Sequence, residues 1–136
     1  MERISWDKYA LELAVVASRR SEDPYMKVGA CVLRHDHSVA GLGYNGAPKG
    51  INIDWSNRDE RRSKVIHAEV NALRYVRPDE CYLLACNLLP CNDCLKLAAS
   101  YGIQKIIFEK FYDRDNSSLS VAKEFGLDLH HYESQI

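Results

Sequence analysis

The order of apolar runs in this chain predicts an α/β fold: a three-layer α/β/α sandwich around a five-stranded mixed sheet. Three observations carry that expectation. A helix-periodic stretch is followed by two short strands joined by a polar turn, the pattern of an antiparallel hairpin. Helices and strands then alternate, as they do where crossover helices connect parallel strands. The run Cys81 to Leu89 is almost continuously apolar, which marks a strand covered on both faces.

The elements follow in order. Trp6 to Arg20 spreads Leu11, Leu13, Ala14, Val15, Val16 and Ala17 over a broad apolar surface, with Ser5 as N-cap and Pro24 beyond its end. Lys27 to Arg34 reads as a strand buried on both faces, His35-Asp36-His37-Ser38 as a turn, and Val39 to Tyr44 as the returning strand. Asn45 to Ser63 contains Asn45-Gly46-Ala47-Pro48-Lys49-Gly50 and has the composition of a functional loop. A helix is expected from about Ile66 to Tyr75, stopped by Pro78, and the interior strand from Cys81 to Leu89 follows. Pro90 suits the first turn of the next helix, which reaches about Tyr101 with Gly102 past its end. Lys105 to Phe108 is a fourth strand, Ser117 or Ser118 opens a last helix ending at Gly126, and Leu127 to Tyr132 is a fifth strand. No repeat, low-complexity tract or linker divides the chain, so residues 1–136 read as a single domain.

Composition removes several function classes. A content of 46% hydrophobic and 27% charged residues is that of a globular protein, neither disordered nor fibrous. The apolar runs are too short for a membrane span. Charges at Glu2, Arg3 and Asp7 occupy the place of a signal peptide's apolar region, so a cytoplasmic location is expected. A net charge of −1 argues against a long nucleic acid as partner, but a mononucleotide needs only one or two cations. Five cysteines are an odd number for a disulfide framework, and metal binding or burial is the better expectation.

Two short segments carry the chemistry: His67-Ala68-Glu69 and Pro90-Cys91-Asn92-Asp93-Cys94. One imidazole and two thiolates fill three tetrahedral positions on Zn²⁺ and leave the fourth for water, the arrangement of a catalytic site. Cys91 and Cys94 lie one helical turn apart near a helix start, where the macrodipole favours thiolate. A lone Cys-x-x-Cys is as readily a redox pair, but redox chemistry needs neither the preceding Pro nor the upstream His-x-Glu. The combined pattern matches an established signature of zinc-dependent base deaminases. Zinc lowers the pKa of its water towards ~7. Glu69 then takes the water's proton, delivers it to the ring nitrogen and later protonates the departing amine, giving a carbonyl and ammonia. Cys31, Cys81 and Cys86 are expected to be buried apolar residues, and His35, His37, His130 and His131 to be solvated or packed.

With those residues in view, the chain resembles the deoxycytidylate (dCMP) deaminase family over most of its length. The matching segments are Arg20-Ser21-Glu22-Asp23-Pro24, Lys27-Val28-Gly29-Ala30, Gly43-Tyr44-Asn45-Gly46-Ala47-Pro48-Lys49-Gly50, His67-Ala68-Glu69-Val70-Asn71-Ala72, the Pro90 to Cys94 segment and Tyr101-Gly102-Ile103. The resemblance implies a cytidine-deaminase-like fold and conversion of dCMP to dUMP, which supplies dUMP for thymidylate synthesis. It implies that Asn45 binds the sugar hydroxyl, that backbone around Ala68 and Leu89 holds the pyrimidine, and that Tyr112 covers the substrate. Arg20, Ser21 and Lys27 become candidates for the phosphate. It further implies a homo-oligomer, usually a hexamer, activated by dCTP and inhibited by dTTP. Gly46 and Lys49 would contact that effector, with Mg²⁺ on its phosphates. The chain departs from the family pattern in short segments before His67 and before Cys91, in Asn87 where Thr is usual, and in lacking counterparts of a second zinc site. The competing expectations are a deaminase of RNA (tRNA adenosine included), a nucleoside or dCTP deaminase, and a catalytically silent nucleotide-binding subunit.

Overall fold

The computed structural model describes residues 2–112 and 116–133. The five strands are β1 (Gly29–Arg34), β2 (Val39–Tyr44), β3 (Cys81–Leu88), β4 (Lys105–Lys110) and β5 (Asp128–His131), in the sheet order β2-β1-β3-β4-β5. β1 pairs antiparallel with both β2 and β3, while β3, β4 and β5 pair in parallel. The sheet is therefore mixed because one strand, β1, is reversed. The expected hairpin and the parallel strands after it are both present.

Alternating side chains of β1 divide the core. Cys31 and Leu33 face α1 (Trp6–Ser18), where they meet Ala10, Leu11 and Ala14 together with Leu83, Ala85 and Ile107. Ala30 and Val32 face the other way, towards a cluster of Ala68, Ala72, Leu73, Leu84, Leu95, Ala98, Ile106 and Ala122. That second layer is built by α3 (Ala68–Leu73), α4 (Asn92–Ser100) and α5 (Ser118–Glu124). Burying each Leu or Ile of these layers contributes ~1.5–3 kcal/mol.

Glycine sets how closely the helices approach. A Cβ on Gly29 would stand 1.9 Å from the Ala14 carbonyl oxygen of α1. A Cβ on Gly43 would stand 2.4 Å from the Ala68 carbonyl oxygen at the start of α3. Hydrogen at these two positions lets both helices lie directly on the sheet.

The boundaries differ from the sequence expectations where side chains replace ladder bonds. Lys27 and Val28 stand outside β1 because Asn45 Oδ1 accepts from Val28 N (2.9 Å) and Asn87 Oδ1 from Gly29 N (2.9 Å). α1 stops at Ser18, whose Oγ donates back to the Val15 carbonyl (2.6 Å), and Arg19 and Arg20 enter a turn. Ile66 lies outside α3 in an isolated bridge with Gly46. Pro90 precedes the α4 cap, Cys91, and does not enter the first turn. The largest difference is in the expected loop, which contains a helix, α2 (Arg58–Lys64). Asn57 caps it by accepting from Glu60 N at 3.1 Å, and none of its side chains is buried. Its stability is local, which is why hydrophobic periodicity does not reveal it.

The three cysteines expected in strands are buried. In the hairpin turn His37 adopts φ 71°, stacks on Trp6 and bonds the Tyr82 hydroxyl, while His35 bonds the Asp79 carbonyl. No helix among the described residues is long and apolar enough to cross a membrane.

Candidate active site

His67 and Cys91 occupy equivalent places, the N-caps of α3 and α4, with extended backbone (φ/ψ −66°/150° and −72°/169°). Neither side chain makes a capping bond. Both are therefore free to turn towards each other across the gap between the helix starts. Cys94 sits one turn into α4, and Leu95 N donates to the Cys91 carbonyl (2.9 Å) to close that turn. His67 Nδ1 lies 3.3 Å from Cys94 Sγ and 3.5 Å from Cys91 Sγ, and all three donor atoms fall within 4.8 Å of one another.

These spacings fit a zinc ion. Bond lengths of ~2.3 Å to sulfur and ~2.0–2.1 Å to nitrogen place neighbouring tetrahedral ligands roughly 3.5–3.8 Å apart. The electrostatics agree. The Cys94 thiol hydrogen-bonds Cys91 and, with His67, pulls its pKa down to about 4, despite partial burial. The pKa of Cys94, which donates that bond and is buried besides, is pushed up. His67 is raised, first by its bond to Cys91. The contacts within the set favour a Cys91 thiolate beside His67, and a divalent cation offsets the cost of ionising the second thiol.

Glu69 is only 4% exposed, and burial is the first cause of its raised pKa, opposed by a hydrogen bond from Cys94. Burial of this kind disfavours the charged form of a carboxyl, and a cation in the adjoining donor set favours it. Beside this carboxyl opens a cavity of about 260 Å³ lined by His67, Ala68 and Glu69, by Leu88 at the end of β3 and Leu89 after it, and by Tyr112. Val28, Met26, Asp23 and Asn45 form a second wall, and Arg61, Arg62 and Val65 a third. Leu89 N donates to the Lys110 carbonyl (2.9 Å), which leaves the Leu89 carbonyl as the group available to a ligand. Ala68 N–H stands in the first turn of α3, where helices leave donors without an intrahelical acceptor. Burial pushes the pKa of the Tyr112 phenol up.

Zinc binding is a property of the family to which residues 4–110 match, the cytidine and deoxycytidylate deaminase zinc-binding region. This chain belongs to that family. Human deoxycytidylate deaminase is 33% identical over 129 residues, spanning 85% of this chain and 71% of that protein. Deoxycytidylate deaminase of Mycobacterium phage D29 is also 33% identical over 129 residues, spanning 81% and 98%. The crystal structure of dCMP deaminase from the cyanophage S-TIM5 in complex with dCMP and dUMP superposes with a TM-score of 0.79 at 26% identity, covering 97% of this chain and 100% of that one. A tRNA:A34 deaminase structure, 19% identical with a TM-score of 0.66, covers 94% and 100% and shares the fold. The resemblance to deoxycytidylate deaminases drawn from the motifs is thus borne out, as is the sheet architecture.

For this deaminase, the residues singled out from sequence separate into two groups. His67, Ala68, Glu69, Leu89, Asn45 and Tyr112 all line the one cavity, and Cys91 and Cys94 join its His67 in the donor set. Asn45 enters the wall with its amide already engaged: Oδ1 accepts from Val28 N, and Nδ2 donates to the Met26 carbonyl (2.9 Å) and Asp23 Oδ2 (3.2 Å). Arg20, Ser21 and Lys27 are not among the cavity's lining residues. Ser21 is buried with its Oγ donating to the Asn45 carbonyl (2.9 Å), and Lys27 Nζ donates to the Ser21 carbonyl. Arg20 lines a separate groove with Gly46 and Lys49. Asp23, Met26, Arg61, Arg62 and Val65 were not singled out from sequence. For the arginines one signal exists, the capping pair Asn57 and Glu60 that opens α2.

Proposed function

We propose that the protein catalyses hydrolytic, zinc-dependent deamination of dCMP to dUMP and ammonia, with His67, Cys91 and Cys94 as the metal ligands. The observation that carries the reaction is a buried carboxyl, Glu69, that lines a cavity of about 260 Å³ together with His67 of the His/Cys/Cys donor set. The 33% identity to deoxycytidylate deaminases supports the substrate. When bound, zinc supplies acidified water as the nucleophile. Glu69 would take one proton from that water and pass it to N3 of the pyrimidine, then take the second proton, from the hydroxyl now bonded to C4, and give it to the leaving amino group, so that ammonia departs and C4 keeps a carbonyl oxygen. The Ala68 N–H donates to the ring carbonyl and the Leu89 carbonyl accepts from the amine, which orients the carbon under attack. Tyr112 excludes solvent over the ring, and Asn45 faces the sugar.

The same reading takes the chain as one domain and supplies dUMP for thymidylate synthesis. A homo-oligomer regulated by dCTP and dTTP, with Mg²⁺, in the groove around Gly46 and Lys49 also belongs to it, on family likeness. All five cysteines are free, which supports a reducing compartment and hence the cytoplasm.

Ammonia release from dCMP, deoxycytidine, cytidine and dCTP, with and without dCTP or dTTP, tests the substrate. The expected result is at least a hundredfold preference in kcat/KM for dCMP, ~2.7 kcal/mol of discrimination. A preference for any other member of the set overturns it. A tRNA substrate is disfavoured by the net charge of −1.

A further inference from the structure

We propose that Arg61 and Arg62 of α2 hold the 5′-phosphate of the substrate and thereby select a nucleoside monophosphate over the free nucleoside. The inference rests on the dCMP reading and deepens it.

Among the described residues, these two arginines and His67 are the cations that line the cavity containing Glu69. His67 belongs to the metal set, so the arginines are the cations left for an anionic end of the ligand. Arg61 is fixed in place: Nη1 donates to the Trp55 carbonyl, and the guanidinium lies 4.4 Å over the Tyr25 ring. Arg62 has no carboxylate or hydrogen-bond partner among the described residues, and so keeps its full fork of donors. One arginine is thus oriented in advance and the other is available to close on an anion.

Among the described residues no carboxylate pairs with either arginine. Glu60 is paired with Lys64 on the same helix. Asp54 accepts from Ser56. Asp23, which shares the cavity wall, accepts from Tyr25 N (2.8 Å), Met26 N (3.2 Å) and Asn45 Nδ2 (3.2 Å). Lys27 is turned onto the Ser21 carbonyl, and Arg20 faces the other groove. α2 buries none of its side chains, so core packing does not explain its arginines on the cavity. A phosphate monoester carries about −1.5 to −2 charges near neutral pH and three acceptor oxygens, a match for paired guanidinium forks.

The test compares kcat/KM on dCMP and on deoxycytidine for zinc-loaded wild type, Arg61→Ala, Arg62→Ala and Arg62→Lys, with zinc content and Tm measured on each. Each alanine variant is expected to lose about 10- to 100-fold on dCMP, mainly through KM. Its loss on deoxycytidine is expected to be at least tenfold smaller, and lysine at position 62 to recover part of the dCMP loss. Arg62→Gln replaces any alanine variant that melts early. Equal losses on the two substrates, or no loss on dCMP, overturn the phosphate assignment while wild-type preference for dCMP keeps the dCMP reading intact. Wild type without a preference for dCMP over deoxycytidine overturns both.

Discussion

The two ends of the cavity are built in opposite ways. At the metal end, His67 and Cys91 cap two helices that are anchored in the core by Ala68 and Ala72 in one and by Leu95 and Ala98 in the other, and Cys94 and Glu69 are themselves buried. At the other end, α2 carries Arg61 and Arg62 on seven residues that bury nothing and depend on the Asn57 cap. Chemistry needs donor atoms fixed to fractions of an ångström, so it draws on core packing. Recognition of a phosphate tolerates a mobile guanidinium and is met by a helix anchored only at its ends.

Damage should therefore spread differently from the two ends. Cys94→Ser strikes the metal end directly. It should reduce zinc to below about a tenth of stoichiometric, abolish ammonia release and lower Tm by roughly 10 °C, since ligand-linked stability is lost with the ion. Metal analysis with a thermal melt checks this, and full zinc content would remove Cys94 from the ligand set. Gly43→Ala attacks the same end through packing alone. Its Cβ would meet the Ala68 carbonyl at 2.4 Å, so α3 must shift, costing at least ~2 kcal/mol and lowering kcat with it. Denaturant unfolding and steady-state kinetics measure both effects.

Asn57→Ala is the matching lesion at the recognition end. Losing the cap costs ~1 kcal/mol, confined to α2. KM for dCMP should rise severalfold with kcat kept and the global Tm little changed, and a fall in kcat as large as that of Gly43→Ala would erase the distinction. The smallest effect lies far from both ends, at Glu80, whose pKa is lowered by the Arg77 amide and then by Arg34 (2.7 Å). Its contribution to stability is present above the unfolded-state value and is lost as pH falls through the folded one. The Tm difference between wild type and Glu80→Gln should be largest near neutral pH and shrink in acid, with activity unaffected.

The same contrast decides what was legible in the sequence. His67, Glu69, Cys91 and Cys94 are readable because ligand chemistry forces fixed residue types at fixed spacings near helix starts. The sheet was readable because β1 and β3 are buried on both faces and show as apolar runs. α2 escaped because Arg58–Lys64 has no apolar period, and its cap, Asn57 with Glu60, is a short signal in a turn-rich stretch. Ser21 and Lys27 resembled ligand contacts in sequence. Their partners, the Asn45 and Ser21 carbonyls, are set by how the chain folds back on itself. Asn45 and Asn87 are visible as polar residues near strand ends, but the backbone amides they satisfy at Val28 and Gly29 appear only in three dimensions.

In the proposed reaction the buried carboxyl beside the donor set moves the protons of a hydrolytic deamination. Ammonia release from dCMP by zinc-loaded Glu69→Gln tests it most directly, with zinc content measured on the same sample. Stoichiometric zinc, an unchanged fold and a kcat lowered by at least ~10³-fold are expected. Turnover within tenfold of wild type at full zinc content would contradict it.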